Sequence, residues 1–202
     1  MKIALIGATG QAGSRILAEL LRRGHEITAI VRDTGKVPTQ PGVTAARGDV
    51  SDQAGLAALL KGRDAVISSV HFTASDPRKL VEAVRAAGVP RYLVVGGAGS
   101  LEAAPGVKLV DTPQFPAEYK VEATAGAAFL DLLRQEKELD WTFLSPSALF
   151  FAGERTGRFR LGTDQLLTNE KGSSISFEDY AVALVDELEK PAHSRRRFTV
   201  GY

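Results

Sequence analysis

The feature that most constrains the fold is an apolar run that leads into a glycine-rich turn and then into an amphipathic helical pattern. The run Ile3–Ile6 is followed by Gly7, Gly10 and Gly13 at three-residue spacing, and the helical pattern extends over 11–23. In a strand–turn–helix unit of this kind, the first glycine permits a tight turn and the second lets the main chain approach a pyrophosphate. The third lets the helix pack closely on the strand. The arrangement predicts a dinucleotide-binding site.

The start of the predicted helix gives an electrostatic reason for the same prediction. The first N–H groups of a helix have no partner within it, and the helix dipole favours negative charge at that end. A pyrophosphate bound there would be held by main-chain donors. The predicted cofactor-binding residues of the turn are Gly7, Thr9, Gly10, Gln11, Ala12 and Gly13.

Length and composition exclude several classes of function. The 202 residues suffice for one α/β domain, and we expect a single domain over 1–202 in which 150–202 add a small substrate-side extension. Lys plus Arg number 25 and Asp plus Glu 24, a balance that gives no electrostatic case for a nucleic-acid or membrane partner. The absence of cysteine excludes disulfides, thiolate metal sites and a cysteine nucleophile.

We also expect no targeting signal or membrane span from the sequence. The first predicted strand begins at Lys2, which leaves no room for a signal or transit peptide. No apolar stretch approaches the roughly 18 residues that span a bilayer. These observations predict a cytoplasmic location.

Strand and helix patterns alternate along the chain, which predicts an α/β fold with a doubly wound parallel sheet and right-handed crossovers. The predicted strands are Ile3–Ile6, Ile27–Val31, Val43–Ala46, Ala65–Val70, Tyr92–Val95, Trp141–Leu144 and Arg197–Val200, and the predicted helices lie near 11–23, 53–61, 76–87, 118–138 and 177–189.

Two segments interrupt this alternation. Residues 96–117 lack clear periodicity and follow a central strand, where ligands bind in open parallel sheets, so they predict either a substrate-side loop or an ordinary surface loop. In 151–175, glycines punctuate the short runs Arg158–Leu161 and Gln165–Thr168, which we interpret as a small hairpin.

The motifs together resemble a known family. They are the turn Gly7–Gly13, Arg32 after the second strand, Gly48-Asp49-Val50 after the third, and Ser145-Pro146-Ser147-Ala148 after the sixth. The chain resembles, over essentially its whole length, the atypical short-chain dehydrogenase/reductases of the NAD(P)H-binding kind. That group includes proteins named NADH-flavin reductases and the biliverdin-IXβ/flavin reductase. The resemblance implies a Rossmann-type fold, but no motif encodes the substrate.

The residues after the second strand bear on the choice of cofactor. An acidic residue there accepts hydrogen bonds from the ribose 2′-OH of NAD, whereas an Arg grips the 2′-phosphate of NADP. Arg32 lies in the phosphate-binding register, so NADP(H) is favoured over NAD(H). The adjacent Asp33 keeps the NAD interpretation open, and the alternative for Arg32 is a solvated side chain.

Further cofactor contacts follow from the resemblance alone. It places the residues after the third strand beside the adenine, the end of the fourth strand under the nicotinamide ribose, and the residues after the sixth strand at the carboxamide. The alternative for these positions is an ordinary turn or strand terminus. The glycine that ends the fifth strand is expected to admit a ligand. These residues are Asp49, Val50, Ser68, Ser69, Val70, Gly96, Pro146, Ser147 and Ala148.

The proton relay that is usual in the superfamily is missing. It consists of a Tyr-x-x-x-Lys pair one helical turn apart, in which the Tyr donates a proton to the carbonyl being reduced. The residues four positions after Tyr92, Tyr119 and Tyr180 are Gly96, Ala123 and Leu184.

The remaining catalytic candidates are Tyr119, Lys120 and His71. Tyr119 and Lys120 are adjacent, so their side chains point about 100° apart on a helix and cannot copy the relay. Tyr119 could donate a proton alone or pack on the preceding loop, and Lys120 could hold an anion or reach into solvent. His71 follows the fourth strand and could donate a proton or be a surface residue. The three histidines share no metal-ligand spacing, so no metal site is predicted.

Two functions from different classes fit these observations. The first is an NAD(P)H-dependent oxidoreductase that transfers hydride directly to a small planar acceptor such as a flavin or quinone, which needs little acid help from the protein. The second is a non-catalytic NADP(H)-sensing regulatory protein that binds a partner. The missing relay argues against a nucleotide-sugar or isomerase-type enzyme. The helix predicted over 118–138 could pair with a copy of itself in a homodimer, or it could pack on the core of its own chain.

Overall fold

The computed structural model describes all 202 residues, and it contains one large sheet with helices on both faces. The helices are α1 (Gln11–Arg22), α2 (Gln53–Leu60), α3 (Pro77–Ala86), α4 (Ala117–Gln135) and α5 (Phe177–Glu189). The strands are β1 (Lys2–Ile6), β2 (Glu26–Val31), β3 (Val43–Arg47), β4 (Ala65–Ser68), β5 (Arg91–Val95), β6 (Glu102–Ala104), β7 (Val107–Lys108), β8 (Asp140–Pro146), β9 (Leu149–Phe151), β10 (Arg160–Gly162), β11 (Ser174–Ser176) and β12 (Arg196–Gly201).

The main sheet has the strand order β10-β12-β8-β5-β4-β1-β2-β3, and every pairing in it is parallel except that of β10 with β12. The predicted Rossmann-type parallel sheet is therefore confirmed. The chain runs from β1 outward to β3 and then returns to the other side of β1 as β4. The order of strands reverses between β1 and β4, and ligands bind at such a reversal, outside the carboxyl ends of the strands.

Both faces of the central strands are apolar because helices cover both sides of the sheet. In β1, Ile3 and Leu5 belong to the core cluster beneath α1 and α5, whereas Ala4 and Ile6 belong to the cluster beneath α2, α3 and α4. This two-sided burial fixes the register of β1. It also holds the turn that follows β1 at a defined place on the edge of the sheet.

Three predicted details differ from the structure. β4 ends at Ser68, two residues earlier than predicted, because the chain turns away into a single-turn helix over 72–74. The predicted hairpin of 158–161 with 165–168 is wrong, since β10 pairs with β12 at the edge of the main sheet. The segment 96–117 contains the small β6–β7 hairpin, and it buries Leu101 and Val110.

No helix of the structure has the length and apolar character needed to cross a bilayer.

A buried ion cluster fixes the irregular segment 152–159 to α1. The carboxylate of Glu19 is almost fully buried and accepts two hydrogen bonds of 2.8 Å from Arg155 and one of 2.9 Å from Arg23. The hydrogen bonds from Arg155 outweigh the opposing effect of burial and, with the one from Arg23, lower the pKa of Glu19 to about 2. The carboxylate thus remains ionised while it ties 152–159 to the helix.

We expect the contribution of Glu19 to stability to disappear in acid. Because its pKa in the folded state is depressed, the contribution is present above the unfolded value and is lost as the pH falls towards about 2. The difference in free energy of unfolding between the wild type and Glu19→Gln should therefore shrink from about pH 6 to about pH 3. Urea titrations across this range measure it, with the exposed Glu118→Gln as control. A difference that stays constant with pH would contradict the expectation.

Candidate dinucleotide-binding site

Two glycines of the turn after β1 are required by packing within the protein. Gly7 has a φ of +82°, in the left-handed region that favours glycine, and a Cβ atom there would lie 2.1 Å from the Ser69 carbonyl oxygen. A Cβ atom at Gly13 would lie 2.1 Å from the carbonyl oxygen of Gly7. Gly7 thus brings the turn against the end of β4, and Gly13 lets α1 pack onto the turn.

Gly10 differs from these two glycines because the space beside its Cα is open. The nearest atom to a Cβ placed there is the Gly7 carbonyl oxygen at 3.5 Å, an ordinary contact distance. Gly10 is also the N-cap residue of α1 and has no side chain to cap the helix, and the N–H groups of Gln11, Ala12 and Gly13 donate to no acceptor in the protein. Three other helices are capped by a side chain, from Asp52, Asp76 and Ser176.

This open space and these free donors fit a pyrophosphate. Free main-chain N–H groups at the positive end of a helix dipole attract an anion, and no side chain of the protein blocks the approach at Gly10. The site also lies at the strand-order reversal between β1 and β4. The residues present are therefore compatible with the phosphate portion of a dinucleotide.

The two charged residues after β2, Arg32 and Asp33, differ in their contacts with the rest of the protein. Asp33 accepts a hydrogen bond of 3.1 Å from the Gly35 N–H and lies 3.8 Å from the Lys36 ammonium group, so its carboxylate caps the next turn. The exposed side chain of Arg32 makes no hydrogen bond and no ion pair within 4 Å, although its positive charge contributes to lowering the pKa of the nearby Asp49. A cationic group is thus free at this corner, whereas the acidic group has partners.

Asp49 and Val50 form a turn after β3. One carboxylate oxygen of Asp49 accepts hydrogen bonds of 2.8 Å from the Ser51 N–H and 2.7 Å from the Ser51 hydroxyl. These bonds hold the pKa of Asp49 below its usual value. Val50 is half-buried against the core cluster beneath α2. The second oxygen of Asp49 has no partner and is open to a ligand.

The three predicted residues at the end of β4 divide into two groups. Ser68 is buried, and its hydroxyl lies 2.9 Å from the hydroxyl of the buried Tyr92, so its side chain belongs to the core. Ser69 and Val70 are half-buried and border the glycine turn, where a Cβ atom at Gly7 would lie 3.1 Å from a methyl carbon of Val70. Ser69 and Val70 remain candidate contacts, whereas the Ser68 side chain is closed off.

The ends of β5 and β8 are more enclosed than predicted. A Cβ atom at Gly96 would lie 2.3 Å from the Phe143 ring, so packing between β5 and β8 explains this glycine without a ligand. Pro146 is buried, and the buried Ser147 hydroxyl donates to the Val200 carbonyl at 3.0 Å. Ala148 is exposed, although its N–H already donates to the Ser173 hydroxyl at 3.1 Å.

The three catalytic candidates are all exposed. The Tyr119 side chain is 62% exposed in the first turn of α4, and its hydroxyl has no hydrogen-bond partner. Lys120 is also exposed and unpaired. His71 is 85% exposed, and its Nδ1 lies 3.3 Å from Oε1 of Glu122, one helical turn after Tyr119.

Glu122 is a residue that the sequence analysis missed. It accepts hydrogen bonds from the Phe72 N–H at 2.7 Å, the Thr73 N–H at 3.0 Å and the Thr73 hydroxyl at 2.6 Å. Burial by itself would raise the pKa of Glu122, but the hydrogen bonds from Thr73 and Phe72 outweigh it and lower the pKa. No sequence signal could identify Glu122, because its partners on Phe72 and Thr73 lie 50 and 49 residues away in the chain.

The structure contains no group of three or more His, Asp or Glu side chains placed to hold a metal ion.

Comparison with known proteins decides the family. Residues 7–191 match the sequence pattern of the NAD(P)H-binding family. The chain belongs to this family. The resemblance of the motifs to NAD(P)H-binding atypical short-chain dehydrogenase/reductases is thereby confirmed, and the glycine turn lies at the start of the matched region.

Three solved structures are similar to this chain over nearly their whole length. A Bacteroides thetaiotaomicron protein provisionally named an epimerase is 43% identical, with a TM-score of 0.95 over 100% of this chain and 96% of its own. A Burkholderia pseudomallei protein provisionally named an exported protein is 47% identical, with a TM-score of 0.91 over 100% of both chains. A Streptococcus pneumoniae protein provisionally named an NADH-flavin reductase is 42% identical, with a TM-score of 0.84 over 100% and 99%.

These three names do not agree on a reaction or on a location. Each relative is more than 40% identical to this chain, yet one name indicates epimerisation, one reduction and one export. Similarity therefore establishes the family, whereas the reaction has to be argued from the site. The cytoplasmic location remains a prediction.

Proposed function

We propose that the protein is an NADPH-dependent reductase that directs hydride to a small planar acceptor such as a flavin or a quinone. The observation that carries the proposal is the free Arg32 guanidinium at the corner of the open glycine turn. An unpaired arginine at this position suits a 2′-phosphate, and the engagement of Asp33 with Gly35 and Lys36 disfavours a role in holding a ribose hydroxyl.

Different residues would bind different parts of the cofactor. The N–H groups of 11–13 would bind the pyrophosphate, Arg32 the 2′-phosphate, and Asp49 with Val50 the adenine. Ser69, Val70 and Ala148 would border the nicotinamide end. Bound NADPH would supply a hydride, and the protein would contribute orientation and electrostatics.

The missing Tyr–Lys pair supports an acceptor of this class. Tyr119 stands alone in the first turn of α4, with Ala123 where the relay lysine would follow. Interconversion of alcohols and ketones depends on that acid, and so does sugar epimerisation through a keto intermediate, whereas flavins and quinones can take a proton from water or from another side chain. The proposal therefore favours the reductase over the epimerase name of one relative.

The test is NADPH oxidation, followed by absorbance, with a panel of quinones and free flavins and with NADH in parallel. We expect turnover with at least one acceptor and a preference for NADPH over NADH. Mixtures without protein give the uncatalysed rate. Tight binding of NADPH without oxidation by any acceptor in the panel would overturn the reductase in favour of the sensing protein, and failure to bind either dinucleotide would overturn both.

A further inference from the structure

The segment after β4 brings an imidazole to the edge of the glycine turn. The Ser69 carbonyl and the Val70 side chain are the atoms closest to a Cβ placed at Gly7, and His71 follows directly. β1 and β4 flank the reversal of strand order, so His71 and the glycine turn lie on the two sides of one crevice. No other histidine is near this edge, since His25 precedes β2 and His193 precedes β12.

The main chain around His71 is anchored from two directions. The Phe72 ring packs against Phe129 and Phe143, with ring centroids 6.1 Å and 6.3 Å apart. The Glu122 carboxylate accepts hydrogen bonds from the N–H groups of Phe72 and Thr73 at 2.7 Å and 3.0 Å. An aromatic anchor and a carboxylate from α4 therefore fix the turn, although the imidazole itself is exposed.

The contact between Glu122 and His71 determines what the imidazole can do. The Glu122 carboxylate lies 3.3 Å from Nδ1 and can only accept a hydrogen bond, so the contact favours a proton on Nδ1 and leaves Nε2 without a partner in the protein. A carboxylate at one ring nitrogen selects the tautomer and orientation of a histidine, and the other nitrogen is then available for proton transfer.

We propose that His71 is the proton donor to the acceptor and that Glu122 is its positioning residue, in place of the missing Tyr–Lys pair. This proposal rests on the proposed reductase function, and it narrows the acceptor to quinones and related conjugated carbonyl compounds. In the reduction of a quinone, the acceptor gains one hydride, which carries both electrons and comes from NADPH, and one proton. The donor is the imidazolium form of His71, which carries a proton on both Nδ1 and Nε2. The hydride would pass from the nicotinamide, leaving NADP+, to the conjugated carbonyl system, whose carbonyl π bond breaks as the proton on Nε2 forms the new O–H bond. The imidazole left behind is the neutral Nδ1–H tautomer, and it regains its second proton from water.

The competing explanation is that Glu122 only caps the turn over 72–74. If Glu122 only caps this turn, the His71 imidazole is not required for that role. Loss of the cap would then not change which ring nitrogen of His71 carries the proton. Two variants therefore separate the explanations. His71→Ala removes the proposed donor and keeps the cap, and Glu122→Gln keeps the size of the side chain but removes its charge. Ser75→Ala is the matched control, because it removes a hydrogen bond of 3.1 Å to the His71 carbonyl without touching the imidazole.

The first experiment measures NADPH–quinone turnover with and without added imidazole. We expect His71→Ala to lower kcat about 100-fold with little change in NADPH affinity, and imidazole to restore part of the rate. Ser75→Ala should retain the wild-type rate. An unchanged kcat in His71→Ala, or a loss that imidazole does not restore, would overturn His71 as donor. If the wild type itself oxidises no NADPH, the proposed function fails, which is a separate outcome.

The second experiment needs no turnover. Nitrogen-15 NMR of the histidine rings in the cofactor-free protein, with the His71 signals assigned from the His71→Ala spectrum, reports which ring nitrogen carries the proton. We expect the Nδ1–H tautomer for neutral His71 in the wild type and in Ser75→Ala, and a shift towards Nε2–H in Glu122→Gln. The same tautomer in all three proteins would overturn the positioning role of Glu122.

Discussion

Gly7→Ala is expected to lower the free energy of unfolding by about 3 kcal/mol or more, because two separate penalties coincide at this position. The backbone has a φ of +82°, which an alanine adopts only with strain. The new methyl group would also lie 2.1 Å from a carbonyl oxygen, the Ser69 oxygen at the end of β4. Main-chain atoms cannot move aside cheaply, so β1 and β4 would have to separate. Urea denaturation followed by circular dichroism measures the effect.

Gly10→Ala is the matched control in the same turn. Gly10 has a φ of −73°, and a Cβ atom there meets nothing closer than 3.5 Å, so stability should stay within about 0.5 kcal/mol of the wild type. The methyl group would project into the space where a pyrophosphate is proposed to approach, and NADPH affinity should fall. Equal destabilisation by both substitutions would contradict this assignment of roles, as would undiminished NADPH binding in Gly10→Ala.

Arg32→Ala should reduce the affinity for NADPH by about 10- to 100-fold and leave the affinity for NADH unchanged. The guanidinium makes no hydrogen bond or ion pair within the protein and acts only at a distance on the exposed Asp49, so its removal should leave the folded state nearly unaffected. Titration of both dinucleotides by fluorescence or calorimetry gives the selectivity directly.

Arg47→Ala is the control for this measurement. Arg47 ends β3, in register with Val31, and is likewise exposed. If the two substitutions weakened NADPH binding equally, the preference would come from the general positive charge of this corner. If Arg32→Ala weakened NADPH and NADH equally, Arg32 would not select the cofactor.

The fold could be predicted from the sequence because its strongest signals are local. The apolar run Ile3–Ile6, the glycine spacing and the amphipathic pattern of 11–23 all lie within one continuous segment, and β1 and α1 form there. The predicted roles of Gly7 and Gly13 in packing agree with the observed contacts. Arg32 could be singled out because its position after β2 follows from the same local unit.

Three predicted cofactor contacts, Ser68, Gly96 and Ser147, also take part in contacts between distant segments of the chain. Ser68, Gly96 and Ser147 are small residues at strand ends, and a strand end admits either a ligand or a neighbouring strand. In the structure, other residues of the protein contact these strand ends. Tyr92 contacts Ser68, Phe143 packs beside Gly96, and the Val200 carbonyl accepts a hydrogen bond from Ser147. Glu122 could not be found for the corresponding reason, since its importance arises only when α4 packs beside the turn after β4.

The position of β12 between β8 and β10 has a consequence for how the chain assembles. β12 follows both of its neighbours in the sequence, so residues 160–162 can join the sheet only after 196–201 have been synthesised. Until then, a nascent chain presents the unpaired edge of β8, which is a template for association with other strands. Vectorial synthesis therefore delays closure of this side of the sheet until 196–201 emerge, and a polypeptide that stops before β12 would be prone to aggregation.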